Sequence, residues 1–220
     1  ILSCDSIAIY RGMDIGSAKP SHEDREKVIH HGIDIADANK IFSVVDYSLY
    51  AKGVMDGAIK KNTPILVTGG SGFYLQSFLS PIVDEIEVSQ EVRQQVEDIN
   101  AERGLDGMLE MLQELNPGGL GDLDVLNPRR VMRGLERCLT SGKKLLELKK
   151  EFEELEVPYS GFEKKVIWLD RENDDIEARI ARRTKQMLDD GLFEETKKLL
   201  SFGIERNPSA SNSVGYRECI

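Results

Sequence analysis

The sequence predicts an α/β fold, a parallel sheet flanked by helices, interrupted by an all-helical insertion. Three observations lead there. Ile1–Cys4 and Ile65–Thr68 are short apolar runs of the kind buried in parallel sheets. Between them, an acidic loop is followed by Tyr47, Ala51, Val54 and Ala58 at helical spacing behind Ser43, a good N-cap, which gives a βαβ order. From about residue 86 to about residue 160 no strand signal occurs, and helical periodicity takes over.

Composition narrows the class. At 220 residues the chain can bury a real core, and 40% hydrophobic with 31% charged residues describes a globular protein. No apolar run approaches the ~20 residues of a membrane span, so no membrane partner is expected. The chain opens on a half-strand with no leader-like segment and reads as cut from a longer protein. Cys4, Cys138 and Cys219 lie far apart, which argues against a disulfide framework or a zinc site. They fit a reducing, cytoplasmic setting. A net charge of −10 excludes general polyanion binding by the whole surface, so any nucleic-acid contact must come from a local basic patch.

In chain order, Asp5 sits where the first strand emerges into a loop, the end at which open α/β sheets bind ligands. An acid there, followed by Ser6, can accept a proton or orient an amine. Tyr10 and Arg11 offer a stacking ring and a cation, and Gly12 and Gly16 permit tight turns. An ordinary polar loop is the competing reading. Ser21 to Val28 reads as a charged surface helix. His30 and His31 point to opposite sides of an extended segment, so one packed histidine is expected there and no metal pair.

Gly69-Gly70-Ser71-Gly72 follows the second strand and opens a helix from Phe73 to Leu79. Such a turn presents N–H groups at a positive helix end, a cradle for diphosphate. It equally serves as a tight strand–helix connection, and it is not a Walker loop. In the insertion, Val92, Val96 and Ile99 mark one amphipathic helix, and Leu105, Met108, Leu109, Leu112 and Leu115 a second. A third follows Pro128, with Val131, Leu135, Cys138 and Leu139 on one arc and Arg129, Arg130, Arg133 and Arg137 opposite. Four arginines on one face suit a phosphate-contacting stripe, the alternative being a solvated face. Lys143 to Glu156 reads as a charged, solvated helix. Lys164–Asp170 returns as a core strand, and Asp174-x-x-Glu177 can open a helix through a capping box. On that helix Ile176, Ile180 and Met187 define a buried arc containing Arg183, with Arg179 at its edge. An arginine there needs an anion or a carboxylate partner.

The order of residues then adds a resemblance. Asp5-Ser6-x-x-x-Tyr10-Arg11-Gly12-Met13-Asp14-Ile15-Gly16-Ser17-Ala18-Lys19-Pro20 closely resembles the signature of the tRNA dimethylallyltransferases, or tRNA isopentenyltransferases. His30-His31-x-Ile33-Asp34, Gly69-Gly70-Ser71-Gly72-Phe73-Tyr74, Arg179-Ile180-x-x-Arg183 and Ser213-Val214-Gly215-Tyr216-Arg217-Glu218 resemble further stretches of that family, in the same order. The resemblance implies a P-loop NTPase-like catalytic core at 1–82 and 163–220 and a helical tRNA-binding insertion at 83–162. It implies transfer of a dimethylallyl group from its diphosphate to N6 of the adenosine next to the anticodon. Asp5, Ser71 and Arg183 would be catalytic, and Gly69, Gly70, Ser71, Arg179 and Arg183 would hold the diphosphate. Asp5, Ser6, Ile7, Ala8, Tyr10, Arg93, Arg129, Arg130 and Arg133 would meet the anticodon stem-loop. Leu126-Asn127 departs from the family's usual Asn-Asp beside that last group. Mg²⁺ is the expected cofactor, bound at a phosphate loop that this sequence does not contain, and a monomer is expected. Two other readings remain: prenylation of free adenine nucleotides, which has little use for the arginine face, and an RNA-binding remnant without catalysis.

Overall fold

The computed structural model describes residues 1–84 and 86–220. The chain divides into two compact units, Ile1–Ile82 with Pro158–Ile220, and Val83–Val157. In the first unit the order is β1 (Leu2–Ser3), β2 (Tyr10–Arg11), α1 (His22–Lys27), β3 (Ala36–Asp37), α2 (Val44–Lys60), β4 (Val67–Thr68) and α3 (Gly72–Gln76). The second unit holds α4 (Gln90–Leu115), α5 (Pro128–Ser141) and α6 (Leu145–Glu153). The first unit resumes with α7 (Asn173–Asp189), α8 (Leu192–Ser201), a 3-10 turn at Ile204–Arg206 and α9 (Pro208–Ser211).

The first unit is α/β, with parallel pairing as expected. β1 lies parallel to β4, Leu2 opposite Val67 and Ser3 opposite Thr68, with α2 in the crossover between them. A bridge between Leu2 and His31 occupies the other side of β1. A second parallel pair joins β2 to β3. Ser43 starts α2 through a capping box with Asp46, which satisfies amides the first turn cannot pair internally. Tyr47 and Ala51, one turn apart, are thereby aimed inward. The Tyr47 ring stacks on Tyr74 at 3.9 Å, and its hydroxyl donates to the Ser3 carbonyl at 2.9 Å. Burial pushes this phenol well up, so it stays a donor. Leu2, Cys4, Ile9, Met13, Ile204 and Tyr216 complete the centre of the core.

The second unit has its own core of Val96, Met108, Leu112, Val131, Leu135, Cys138 and Leu148. The two helices expected before residue 115 run on as α4, broken by non-helical backbone at Gly104. Pro128 takes the first position of α5 behind Asn127, whose side chain accepts from the Arg129 and Arg130 amides.

Three expectations fail in the second half of the chain. Lys164–Asp170 forms no strand, and Trp168 and Leu169 are 83% and 90% exposed. An apolar run becomes a strand only where a neighbour takes its N–H and C=O groups, and no backbone partner for 164–170 exists among the described residues. The apolar arc of α7 is covered only at one end: Met187 packs partly against the core, whereas Ile180 is 59% exposed and none of the helix's residues is fully buried. Its N-cap is Glu172 with no side-chain cap bond, so the Asp174–Glu177 capping box does not form. Gly191, at φ 100°, also separates α8 from α7 as a distinct helix.

Candidate active site

The carboxyl ends of β1 and β4 lie side by side, and each delivers a loop. From β1 comes Asp5, whose Oδ1 accepts the amides of Ile7 at 2.8 Å and Ala8 at 3.1 Å. This tight turn aims the acid and leaves Oδ2 without a hydrogen bond among the described residues. From β4 comes Gly69-Gly70-Ser71-Gly72, opening α3. The two loops are stapled together. The Ser71 amide donates to the Cys4 carbonyl at 3.1 Å, the Ser6 amide donates to Ser71 Oγ at 2.8 Å, and Ser71 Oγ donates to Ser6 Oγ at 2.9 Å. Gly69 makes the approach possible: at φ 152° a Cβ there would lie 2.6 Å from the Cys4 carbonyl carbon. Burial and the neighbouring Asp5 charge keep the Cys4 thiol protonated, so it is no nucleophile.

The structure therefore brings Asp5, Ser6, Ile7, Ala8, Gly69, Gly70 and Ser71 to one place. It treats other expected residues differently. Tyr10 is only 1% exposed, so its ring belongs to the core and is not an open stacking platform. Ala8 is buried as well. Arg183 is exposed on α7, because the arc that was expected to bury it is itself largely exposed, and it has no ion pair among the described residues. Arg179 is bound to Asp175 at 3.0 Å.

Sequence reasoning missed how the loop after Asp5 is held. The side chain of Lys19, 2% exposed, donates to the Tyr10 carbonyl at 2.6 Å, Asp14 at 2.7 Å and Asp34 at 2.7 Å. Arg25 also donates to Asp34 at 2.7 Å. Desolvation pushes the Asp34 carboxyl up, but the bonds and charges from Lys19 and Arg25 outweigh it and hold the group below the usual carboxylate range. On the other side Glu195 accepts the amides of Asp14, Ile15 and Gly16 and the Tyr216 hydroxyl. Tyr216 lay inside a recognisable stretch of sequence; Glu195 carried no signal beyond an acid early in a helix.

In the second unit, α5 exposes Arg129, Arg130 and Arg133. Arg137 leaves the expected stripe, because it is half-buried and ion-paired with Asp84. Arg133 pairs with the buried Glu136 at 2.7 Å, and Arg130 lies 3.8 Å from Asp124. Arg129 makes no side-chain contact of this kind among the described residues. Arg93 is exposed on α4.

An acid and a glycine turn at adjacent strand ends of an α/β core form a ligand site with the parts a group-transfer enzyme uses. Residues 8–220 match the family model described as IPP transferase, and the chain belongs to that family. It is 42% identical to a tRNA dimethylallyltransferase of Opitutus terrae, over the whole of this chain and 70% of that protein. A namesake from Oceanobacillus iheyensis is 34% identical over the whole of this chain and 69% of its own. Among solved structures, the tRNA isopentenylpyrophosphate transferase of Bacillus halodurans superposes with a TM-score of 0.63 at 30% identity, over 99% of this chain and 66% of that one. A eukaryotic dimethylallyltransferase acting on tRNA shares the fold at a TM-score of 0.81 and 21% identity, over 98% of this chain and 53% of that one.

Proposed function

We propose that this protein transfers a dimethylallyl group from dimethylallyl diphosphate to N6 of the adenosine beside the anticodon of tRNA. The observation that carries the reading is the Asp5 carboxylate, held by its own loop amides at the end of β1 against the glycine turn of β4. In the reaction the exocyclic nitrogen attacks the first carbon of the dimethylallyl group, the carbon–oxygen bond breaks and diphosphate leaves. The nitrogen must lose a proton as it bonds to carbon, and Asp5 Oδ2, free of hydrogen bonds among the described residues, is the proposed acceptor. Negative charge grows on the departing diphosphate, and the amides of the Gly69–Gly72 turn at the start of α3 are donors suited to it, with Arg183 and Arg179 as cations from α7.

Mg²⁺ would enter as the diphosphate's counter-ion. Among the described residues no three His, Cys, Asp or Glu side chains cluster to hold it. The exposed arginines of α5, with Arg93, are the proposed phosphate contacts to the stem-loop. A cytoplasmic monomer is part of the same proposal, the reducing compartment being supported by three free cysteines.

The test is incorporation of labelled dimethylallyl group into an anticodon stem-loop. Asp5→Asn should keep the affinity for both substrates and lower turnover by about 10²–10⁴-fold, the scale of general-base catalysis. Near-normal turnover removes Asp5 from the mechanism, and no incorporation by the unmodified protein sinks the proposal.

A further inference from the structure

Three successive amides, Asp14, Ile15 and Gly16, converge on one point and form an anion nest. The Glu195 carboxylate from α8 fills it. Oε2 accepts from Asp14 at 3.0 Å and Ile15 at 2.9 Å; Oε1 accepts from Ile15 at 3.1 Å, Gly16 at 3.3 Å and the Tyr216 hydroxyl at 2.5 Å. The Tyr216 ring closes over Gly16 so tightly that a Cβ there would lie 2.4 Å from it. A carboxylate accepting from four groups is a strong and specific anchor, because each bond is assisted by its charge.

The nest is linked to the acid at the strand end through a continuous set of contacts. Asp14, held by its amide, accepts from Lys19 at 2.7 Å through its side chain. Lys19 in turn donates to Asp34 at 2.7 Å. The Asp34 amide donates to the Ala8 carbonyl at 3.2 Å, and the Ala8 amide donates to Asp5 Oδ1 at 3.1 Å. We infer that Glu195 is a positioning residue for Asp5: by filling the nest it fixes the far end of the loop on which the acid's own turn is built. This rests on Asp5 being the proton acceptor proposed above. The hydrogen bonds of Glu195 go to Asp14, Ile15, Gly16 and Tyr216 and not to the acid or the glycine turn, so its effect reaches the reaction through the loop.

Amide hydrogen exchange reads the coupling without requiring catalysis. In Glu195→Gln one accepting oxygen becomes an NH₂ group that opposes the loop amides. Exchange should then quicken at Asp14–Gly16 and also at Ile7 and Ala8. Turnover should fall by up to about 10²-fold, the scale of a misplaced catalytic group, with stem-loop affinity held. In Glu195→Ala, added formate should refill the nest and restore both readouts in part. If Glu195→Gln does not fold, Tyr216→Phe keeps the ring over Gly16 and should show a weaker form of the same pattern. Faster exchange confined to Asp14–Gly16 would reduce Glu195 to a local clip and overturn the inference, whatever the turnover. Absence of transfer by the unmodified protein would instead reject the proposed function, while exchange at Ile7 and Ala8 still decides the coupling.

Discussion

Gly69 decides how closely the two strand ends can meet. A methyl group there would lie 2.7 Å from the Cys4 carbonyl oxygen and 2.9 Å from its sulfur, on backbone at φ 152°. Gly69→Ala should destabilise the fold by about 1–3 kcal/mol from backbone strain alone, and more as β1 and β4 move apart. Gly70→Ala meets nothing within 4 Å and should leave stability unchanged. Denaturant melts of the two variants make the comparison, and equal melts would mean that the close approach is not maintained in solution. The glycine turn was legible in the sequence as a turn. Which of its glycines is obligatory was not, because that depends on Cys4, reached only after the chain has returned to the sheet.

At the scale of elements, the loop from Arg11 to Lys19 shows what a sequence signature can conceal. Gly16 looked like punctuation and Lys19 had no role beyond its place in the signature, yet the structure uses both as fasteners, and Glu195 and Tyr216 join from the far end of the chain. No local pattern reports a contact across 180 residues. The network has a pH signature. The Asp34 carboxyl is depressed in the folded state, so its stabilising contribution is complete above the unfolded value near 3.9 and is lost as pH falls through the folded value. Asp34→Asn should therefore lower the melting temperature at neutral pH and flatten its decline below about pH 4; an unchanged acid limb would show that Lys19 and Arg25 do not act through this group. Helix α5 also divides its arginines by role. Arg129→Ala with Arg130→Ala should weaken stem-loop binding and flatten the plot of log K against log salt by about 0.9 per lost phosphate contact. Arg137→Ala should instead lower the melting temperature by stranding Asp84, with the salt slope unchanged. Identical slopes in all three proteins would return this face to plain solvation. The arginine positions were readable from helical periodicity, whereas the capture of Arg137 was not, since Asp84 lies outside the helix.

For the whole molecule, α/β order, the parallel pairing of β1 with β4 and the helical character of Val83–Val157 were all legible, because each rests on local periodicity or on a strand–helix–strand sequence. Val166–Leu169 is where that logic stops. Its apolar run asks for a strand, but strand identity belongs to the sheet and not to the segment, and among the described residues no neighbour meets it. Trp168, the only tryptophan in the chain, sits in this run at 83% exposure and reports on it directly. Its fluorescence should have the red-shifted maximum of an indole in water and should be quenched freely by acrylamide. Trp168→Phe should abolish the signal and leave the melting temperature nearly unchanged, since little apolar area is buried at that site. A blue-shifted, protected emission would mean that the run is covered in solution. If that protection grew with protein concentration, the cover would be a second copy of this chain, because contiguous exposed apolar surface drives association, and the proposed monomer would fall with it.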